Sequence, residues 1–126
     1  MHKNSNFTLY NEVIKYERYV RQYVVGQIAS VHRDLRIHLL DEIYKLERYL
    51  MEAQFTRGNI RIKKITEMIV TISMIDILCS EIVEFCPKSK KYMTKSFEML
   101  TRIKNMTFAW RNNPEPVAHP CNAALG

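Results

Sequence analysis

Apolar residues recur every three or four positions along most of the chain, which is the spacing of one face of an α-helix. The pattern predicts a first helix from about Thr8 to Gln27 and a second that begins at Asp34, a residue type favoured at helix N-caps. The predicted core positions of the first helix are Leu9, Val13, Tyr16, Val20, Tyr23 and Val24. Those of the second helix are Leu35, Leu39, Ile43, Leu46, Leu50 and Ala53.

Two further helices are predicted after the break at Arg57-Gly58-Asn59, where Gly58 is suited to end the second helix and Asn59 to cap the third. The third helix must end before Pro87, because proline cannot continue it. Its predicted core stripe is Ile62, Ile65, Ile69, Ile72, Cys79 and Val83. The fourth helix, from about Ser89 to Trp110, is predicted to bury Met93, Phe97, Leu100, Ile103 and Trp110.

The connections between these helices are short, and the chain holds three glycines and four prolines, too few turn-formers for a many-stranded β fold. Its 126 residues suit one domain with a single core. Short connections favour antiparallel neighbours, so we expect an all-α fold, an antiparallel up-down-up-down four-helix bundle over residues 1–111. Residues 112–126 show no periodicity, and we expect a disordered C-terminal tail.

Helix two carries a second apolar stripe about 170° around from the first. Its members are Ile37, Leu40, Tyr44, Met51 and Phe55. Helix three is also apolar nearly all round, with Met68, Met74, Ile75, Ile77, Leu78 and Phe85 outside its main stripe. A wide core with scattered surface residues is one interpretation. The other, which we favour, is a subunit interface of a homo-oligomer along helices two and three.

Positive charge is concentrated in the fourth helix. Between Lys88 and Arg111 there are seven basic residues and one acid, Glu98, so this segment alone accounts for the chain's net charge of +6. One stripe at spacings of three, four and seven comprises Lys88, Lys91, Lys95 and Arg102. An ordinary solvated helix face is the simpler interpretation, whereas such a stripe would also suit the phosphate backbone of RNA.

Signatures of most enzyme classes are absent from the sequence, which has no phosphate-binding glycine loop, Cys-x-x-Cys pair, zinc helix or serine elbow. We therefore expect no enzyme, no metal and no cofactor. Cys79 and Cys86 are seven residues apart on one helix, ~10 Å and too far for a disulfide, and are expected to be buried thiols. Asp76 lies within the apolar stripe of helix three and is a candidate buried carboxylate of structural role.

Arg33 and His38 fit the Arg-polar-x-x-x-His pattern of HEPN-type ribonucleases, which are also helical bundles. In such an enzyme the arginine would stabilise phosphate and the histidine would act on the 2′-hydroxyl proton. The pair opens helix two, whereas the HEPN motif usually lies late in the bundle. A ribonuclease is therefore the minor alternative.

The location that the sequence favours is the cytoplasm. Charged residues interrupt the N-terminal stretch where a signal peptide would need an apolar region. The most apolar stretch, Ile65 to Val83, contains Glu67, Asp76 and Glu81, each of which would be costly in lipid. We expect this stretch to be a core helix and the chain to lack a membrane partner.

The order of the helices and several short motifs between Val13 and Trp110 resemble the Avd-like four-helix bundles, the accessory variability determinants of bacterial diversity-generating retroelements. The motifs are Ile14-Lys15-Tyr16 with Tyr19 and Tyr23, Glu52-Ala53-Gln54 before Arg57-Gly58-Asn59, Ser89-Lys90-Lys91-Tyr92, Arg102-Ile103, and Phe108-Ala109-Trp110.

The resemblance implies a non-catalytic scaffold, a homopentamer that binds the reverse transcriptase of the retroelement and its template RNA and supports mutagenic cDNA synthesis. A related family, the four-helix proteins encoded in intervening sequences of bacterial 23S rRNA genes, shares the bundle and the pentamer. Both families remain open at this point.

Overall fold

The computed structural model describes the backbone of residues 5–115 and the side chains of residues 8–115, and this part of the chain is helical without strands. The four α-helices are α1 (Ser5–Tyr19), α2 (Arg33–Gln54), α3 (Gly58–Phe85) and α4 (Lys90–Asn112). α1 continues as a π-helical turn (Val20–Val24) and a 3₁₀ turn (Val25–Gln27). Further 3₁₀ turns, Ser30–His32 and Pro87–Ser89, precede α2 and α4.

Contacts between the helices form a closed cycle around one core. α2 packs on α3, α3 on α4, α4 on α1 and α1 on α2, and the α2–α3 contact is the most extensive. No helix in the described part of the chain has the length and apolar character that crossing a membrane requires.

The core face of α2 follows the sequence prediction. All six predicted residues, from Leu35 to Ala53, are buried. The break after α2 differs from the predicted one, because α2 ends at Gln54 and Gly58 is the first residue of α3, with Arg57 rather than Asn59 at the N-cap. Gly58 has a φ of 59°, in the left-handed region that glycine adopts without a Cβ penalty. Only Phe55, Thr56 and Arg57 separate α2 from α3.

The π-helical turn changes the face that the end of the first helix presents to the core. A π-helix has more residues per turn than an α-helix, so the regular 3.6-residue spacing no longer holds beyond Tyr19. Val20, Val24 and Ile28 are buried at steps of four, whereas Tyr23 is 40% exposed. The prediction that Tyr23 lies in the core is therefore wrong.

The buried face of α3 is rotated from the predicted one. Ile65, Ile72 and Cys79 are buried as expected, but Ile62, Ile69 and Val83 are only half-buried. The face is completed by Met68, Ile75, Leu78 and Ile82. Because α3 is apolar nearly all round, periodicity alone does not select its inner face.

The rotation of α3 places Asp76 on the surface, so its expected burial is also wrong. In α4, Met93, Leu100, Ile103 and Trp110 are buried as predicted, and Phe97 is half-buried.

Buried Arg61 joins the start of α3 to the ends of α2 and α4. Its guanidinium donates hydrogen bonds to the carbonyl oxygens of Ala53 (2.8 Å), Gln54 (3.1 Å) and Pro114 (2.8 Å). Its Cζ lies 5.8 Å from the ring centroid of Trp110. At the end of α2 these bonds pair the Gln54 carbonyl and add to the hydrogen bonds that Thr56 donates to the Ala53 carbonyl.

The predicted tail begins inside this contact, because α4 extends to Asn112 and Glu115 accepts a hydrogen bond from the backbone N–H of Gly58 at 3.0 Å. The rest of the predicted tail, residues 116–126, lies outside the described residues.

Three polar side chains meet within the core where α1, α3 and α4 converge. The hydroxyl of Tyr16 lies 3.0 Å from Ser96 Oγ and 3.6 Å from Cys79 Sγ. Burial raises the pKa of both Tyr16 and Cys79, so both remain protonated at neutral pH. Cys79 and Cys86 are free, buried thiols, as predicted, and Cys121 lies outside the described residues.

Candidate nucleic-acid interface

Three of the four predicted RNA-binding cations lie near the N-terminal end of α4. Lys88 is in the preceding 3₁₀ turn, and Lys91 and Lys95 are on the first turns of the helix. All three are exposed, and among the described residues none of them forms an ion pair. The first turn of α4 contains no acid, so the positive end of the helix dipole adds to their charge.

Three tyrosines from α1 and α4 form a cluster beside these lysines. The ring centroids of Tyr19 and Tyr23 are 5.0 Å apart, and the ring of Tyr23 stacks on that of Tyr92 at 5.7 Å. The hydroxyl of Tyr19 donates a 2.7 Å hydrogen bond to the backbone carbonyl of Tyr92. Burial, and then the neighbouring tyrosines, raise the pKa of Tyr19, so it stays a neutral donor that ties α1 to α4.

Two of the exposed lysines extend over this cluster, which we call the Lys–Tyr cluster (Tyr19, Tyr23, Tyr92, Lys91 and Lys95). Lys91 Nζ is 5.2 Å from the ring centroid of Tyr92, and Lys95 Nζ is 5.5 Å from that of Tyr19. The π-helical turn gives the cluster its exposed ring, since it brings Tyr23 out of the core. Unpaired ammonium groups beside an exposed ring are the chemistry that binds single-stranded nucleic acid, through phosphate contacts and base stacking.

An open cleft lies next to the Lys–Tyr cluster. It has a volume of about 720 Å³ and is lined by Gln27, Pro87, Lys88, Lys90, Lys91 and Thr94. The cleft lies between the end of the first helix and the start of α4, and Lys88 and Lys91 both line it. Lys90, which is outside the predicted stripe, also lines it.

Arg102 lies in a different environment. It is exposed, but its Nε is 3.4 Å from Glu12 Oε1 on α1. The helix turn between Lys95 and Arg102 carries the acid Glu98. The ion pair reduces the charge that Arg102 offers to a phosphate, so the four predicted cations are not equivalent.

The tyrosines are absent from the sequence-predicted site, although Tyr19, Tyr23 and Tyr92 belong to the motifs quoted for the family resemblance. Tyr19 and Tyr23 are four residues apart on one helix, which indicates that they are neighbours on its surface. The position of Tyr92 next to Lys91 in the sequence was the other feature that pointed to a tyrosine near the lysines. Nothing in the spacing revealed that α1 and α4 bring the three rings together.

The predicted oligomer patch on α2 is largely exposed. Ile37, Tyr44, Met51 and Phe55 are 52%, 46%, 42% and 81% exposed. Leu40 is half-buried and packs against the core. Tyr44 also contacts Arg21 of the π-helical turn, whose Cζ is 5.4 Å from the tyrosine ring centroid.

Arg33 and His38, the pair that fits the ribonuclease pattern, are both exposed on the first turns of α2. A separation of five residues places them about 140° apart around the helix. Among residues 8–115 no group of three or more His, Cys, Asp or Glu side chains is placed to hold a metal ion.

The carboxyl groups of Glu17 and Glu47 shift each other's pKa where α1 contacts α2. A hydrogen bond from Glu47 lowers the pKa of Glu17. Burial and the same hydrogen bond raise the pKa of Glu47 from 4.5 to about 8. At neutral pH Glu47 is therefore the protonated donor and Glu17 the charged acceptor, the latter also bonded to Arg21 at 2.9 Å.

Comparisons with protein-family models, with curated proteins and with solved structures found no significant match to this chain.

Proposed function

We propose that the protein is a non-catalytic accessory protein of a bacterial diversity-generating retroelement, which binds template RNA and the reverse transcriptase to support mutagenic cDNA synthesis. The observation that carries the RNA-binding part is the Lys–Tyr cluster, where Lys91 and Lys95 lie over tyrosine rings and have no carboxylate partner among the described residues. The family resemblance supports the reverse transcriptase as a partner, and the charged residues along the N-terminal stretch support a cytoplasmic setting.

The fold that accompanies this proposal is an antiparallel up-down-up-down four-helix bundle. The cyclic order of helix contacts supports it, because each helix contacts the next along the chain and α4 closes on α1. The proposed assembly is a homo-oligomer, pentameric by resemblance, that uses the α2 patch of Ile37, Leu40, Tyr44, Met51 and Phe55. The exposure of four of these side chains supports an intermolecular role.

Reconstituted cDNA synthesis tests the proposed function. If a reverse transcriptase is encoded beside this gene, that enzyme and its template RNA are incubated with and without the protein, and cDNA yield is measured. We expect the wild type to raise the yield, and the Lys91→Glu/Lys95→Glu variant to raise it much less. A gene neighbourhood without a reverse transcriptase, such as a 23S rRNA gene, would instead favour the intervening-sequence family.

Incubation with RNA alone tests the absence of catalysis. The separation of Arg33 and His38 around α2, and their exposure, support an incidental pair, so we expect no cleavage without metal. Metal-independent cleavage by the wild type that is lost in His38→Ala would replace the accessory function by the ribonuclease alternative.

A further inference from the structure

The outer face of α3 carries a continuous stripe with alternating steps of four and three residues. We call this stripe the α3 seam, and it comprises Lys63, Glu67, Val70, Met74, Ile77, Glu81 and Glu84. Steps of four and three define the contact line of a coiled coil, and this one is about 32 Å long. At its centre Val70, Met74 and Ile77 are 63%, 43% and 56% exposed.

The two ends of the seam carry opposite charges. Lys63 lies at the N-terminal end, and Glu81 and Glu84 lie at the C-terminal end. All three are exposed, and none of them has an ion-pair partner among the described residues. Glu67, the remaining charged member, is half-buried and already paired with Lys64 at 3.5 Å.

We propose that the α3 seam pairs antiparallel with the α3 seam of a second copy of this chain, about a twofold axis at Met74. In that arrangement Lys63 of each copy lies opposite Glu84 of the other, and Val70 lies opposite Ile77. Met74 contacts its own counterpart. The surface is self-complementary, which is the requirement for a twofold contact.

A parallel pairing of the same two seams is disfavoured by charge. It would place Lys63 against its own counterpart and Glu81 and Glu84 against theirs, so every end of the contact would hold like charges. In the antiparallel arrangement Glu81 lies opposite Glu67, whose charge is partly offset by Lys64, which also pairs with Glu52 at 3.1 Å. The opposite charges of Lys63 and Glu84 therefore favour the antiparallel over the parallel pairing of two copies.

Two exposed apolar side chains beside the seam obey the same symmetry. Ile60 and Phe85 are 60% and 53% exposed, and each flanks one end of the apolar centre. The antiparallel pairing brings Ile60 of one copy towards Phe85 of the other. The contact therefore covers the large exposed hydrophobic residues of α3, and it uses no residue of the α2 patch.

Molar mass by sedimentation, measured for a set of variants, separates this contact from the α2 interface. We expect Met51→Glu, on the α2 patch, to leave a dimer. In that background we expect Met74→Glu to give a monomer, with a dissociation constant at least tenfold higher. A Met51→Glu protein that is already monomeric at tens of micromolar would overturn the twofold contact, while leaving the RNA-binding function untouched.

A charge exchange at the ends of the seam tests the direction of pairing. Lys63→Glu should weaken the dimer roughly threefold, and Lys63→Glu/Glu84→Lys should restore it. Unfolding of the variants is excluded by circular dichroism. A double variant that is no tighter than Lys63→Glu would overturn the proposal.

Cysteine cross-linking tests the position of the axis, in a Cys121→Ser background. Met74→Cys should form a disulfide-linked dimer on mild oxidation, because residue 74 lies opposite itself. Val70→Cys alone should not, whereas a mixture of Val70→Cys and Ile77→Cys should cross-link. Cross-linking of Val70→Cys with itself, or its absence at residue 74, would contradict the antiparallel arrangement.

Discussion

α3 and α4 pack against each other, yet their exposed faces differ in chemistry. Near its start α4 exposes Lys88, Lys91 and Lys95, with the rings of Tyr19, Tyr23 and Tyr92 beside them. α3 instead exposes Val70, Met74 and Ile77 between opposite charges. The inner faces of both helices explain the fold, whereas their outer faces differ in the partner that we propose for each, a polyanion for α4 and a second copy of the chain for α3.

Reversing the charge of the α4 face should have the largest effect on RNA affinity. In Lys91→Glu/Lys95→Glu we expect RNA affinity at low salt to fall on the order of 100-fold, because two phosphate contacts are lost and repulsion replaces them. The loss should be the same for all RNA sequences, since phosphate contacts carry no sequence information. Fluorescence anisotropy with labelled single-stranded RNA measures it.

The matched control makes the same change in charge at the other end of α4. Lys104→Glu/Arg111→Glu has the same net charge but leaves the Lys–Tyr cluster intact. We expect its affinity to remain within a few-fold of the wild type. An equal loss in both variants would mean that overall charge, rather than the α4 start, governs binding.

Substitutions of Tyr23 test whether the tyrosine rings contribute to RNA binding. Tyr23→Ala should weaken RNA binding roughly tenfold if a base stacks on this exposed ring. Tyr23→Phe keeps the aromatic face and should bind like the wild type. Anisotropy titrations of both variants decide the matter, and a Tyr23→Ala protein of unchanged affinity would limit the interface to the lysines.

A further prediction concerns the free energy of unfolding and involves Glu47, which lies at the contact between α1 and α2 and on neither exposed face. Because the pKa of Glu47 is raised to about 8 in the folded state, its stabilising contribution is present below 4.5 and is lost as pH rises to about 8. Glu47→Gln donates a hydrogen bond to Glu17 without needing that proton. We expect the variant to unfold with a free energy higher by ~1 kcal/mol at pH 9, a figure discounted for partial exposure.

Urea unfolding at pH 5 and pH 9 measures this difference, which should shrink towards the lower pH. The lowered pKa of Glu17 acts with the opposite sign, since its contribution is lost as pH falls. A Glu47→Gln protein whose stability changes with pH just as the wild type does would show that the two carboxyl groups do not shift each other's pKa. RNA affinity should be unaffected.

How far the sequence predicts the fold depends on the contrast between the two faces of each helix. On α2 the six residues of the predicted core stripe are all buried. On α3 apolar residues occur nearly all round. The prediction placed Met68 and Ile75 outside the core stripe, although both are buried, and Asp76 within it, although Asp76 is exposed. The inner face of such a helix is set by its packing against α2 and α4, and the spacing of apolar residues along one helix carries no information about that packing.

The candidate site was predictable in part, for a similar reason. The lysines at the start of α4 were visible as a charge stripe in one helix. The tyrosine cluster needs a π-helical turn and a contact between residues some seventy positions apart, as in the bond between Tyr19 and Tyr92. Neither is encoded in local spacing, and the partner of Arg102, Glu12, was missed likewise.

The proposal that the α4 face binds phosphate is best tested by the salt dependence of RNA affinity. Affinity is titrated from low to high salt for the wild type and for Lys91→Glu/Lys95→Glu, with circular dichroism to show that both are helical. Each phosphate contact on single-stranded RNA contributes about 0.7 to the slope of log affinity against log salt. We predict that the slope of the variant is shallower by about 1.4. Equal slopes and equal affinities for the two proteins would contradict the claim.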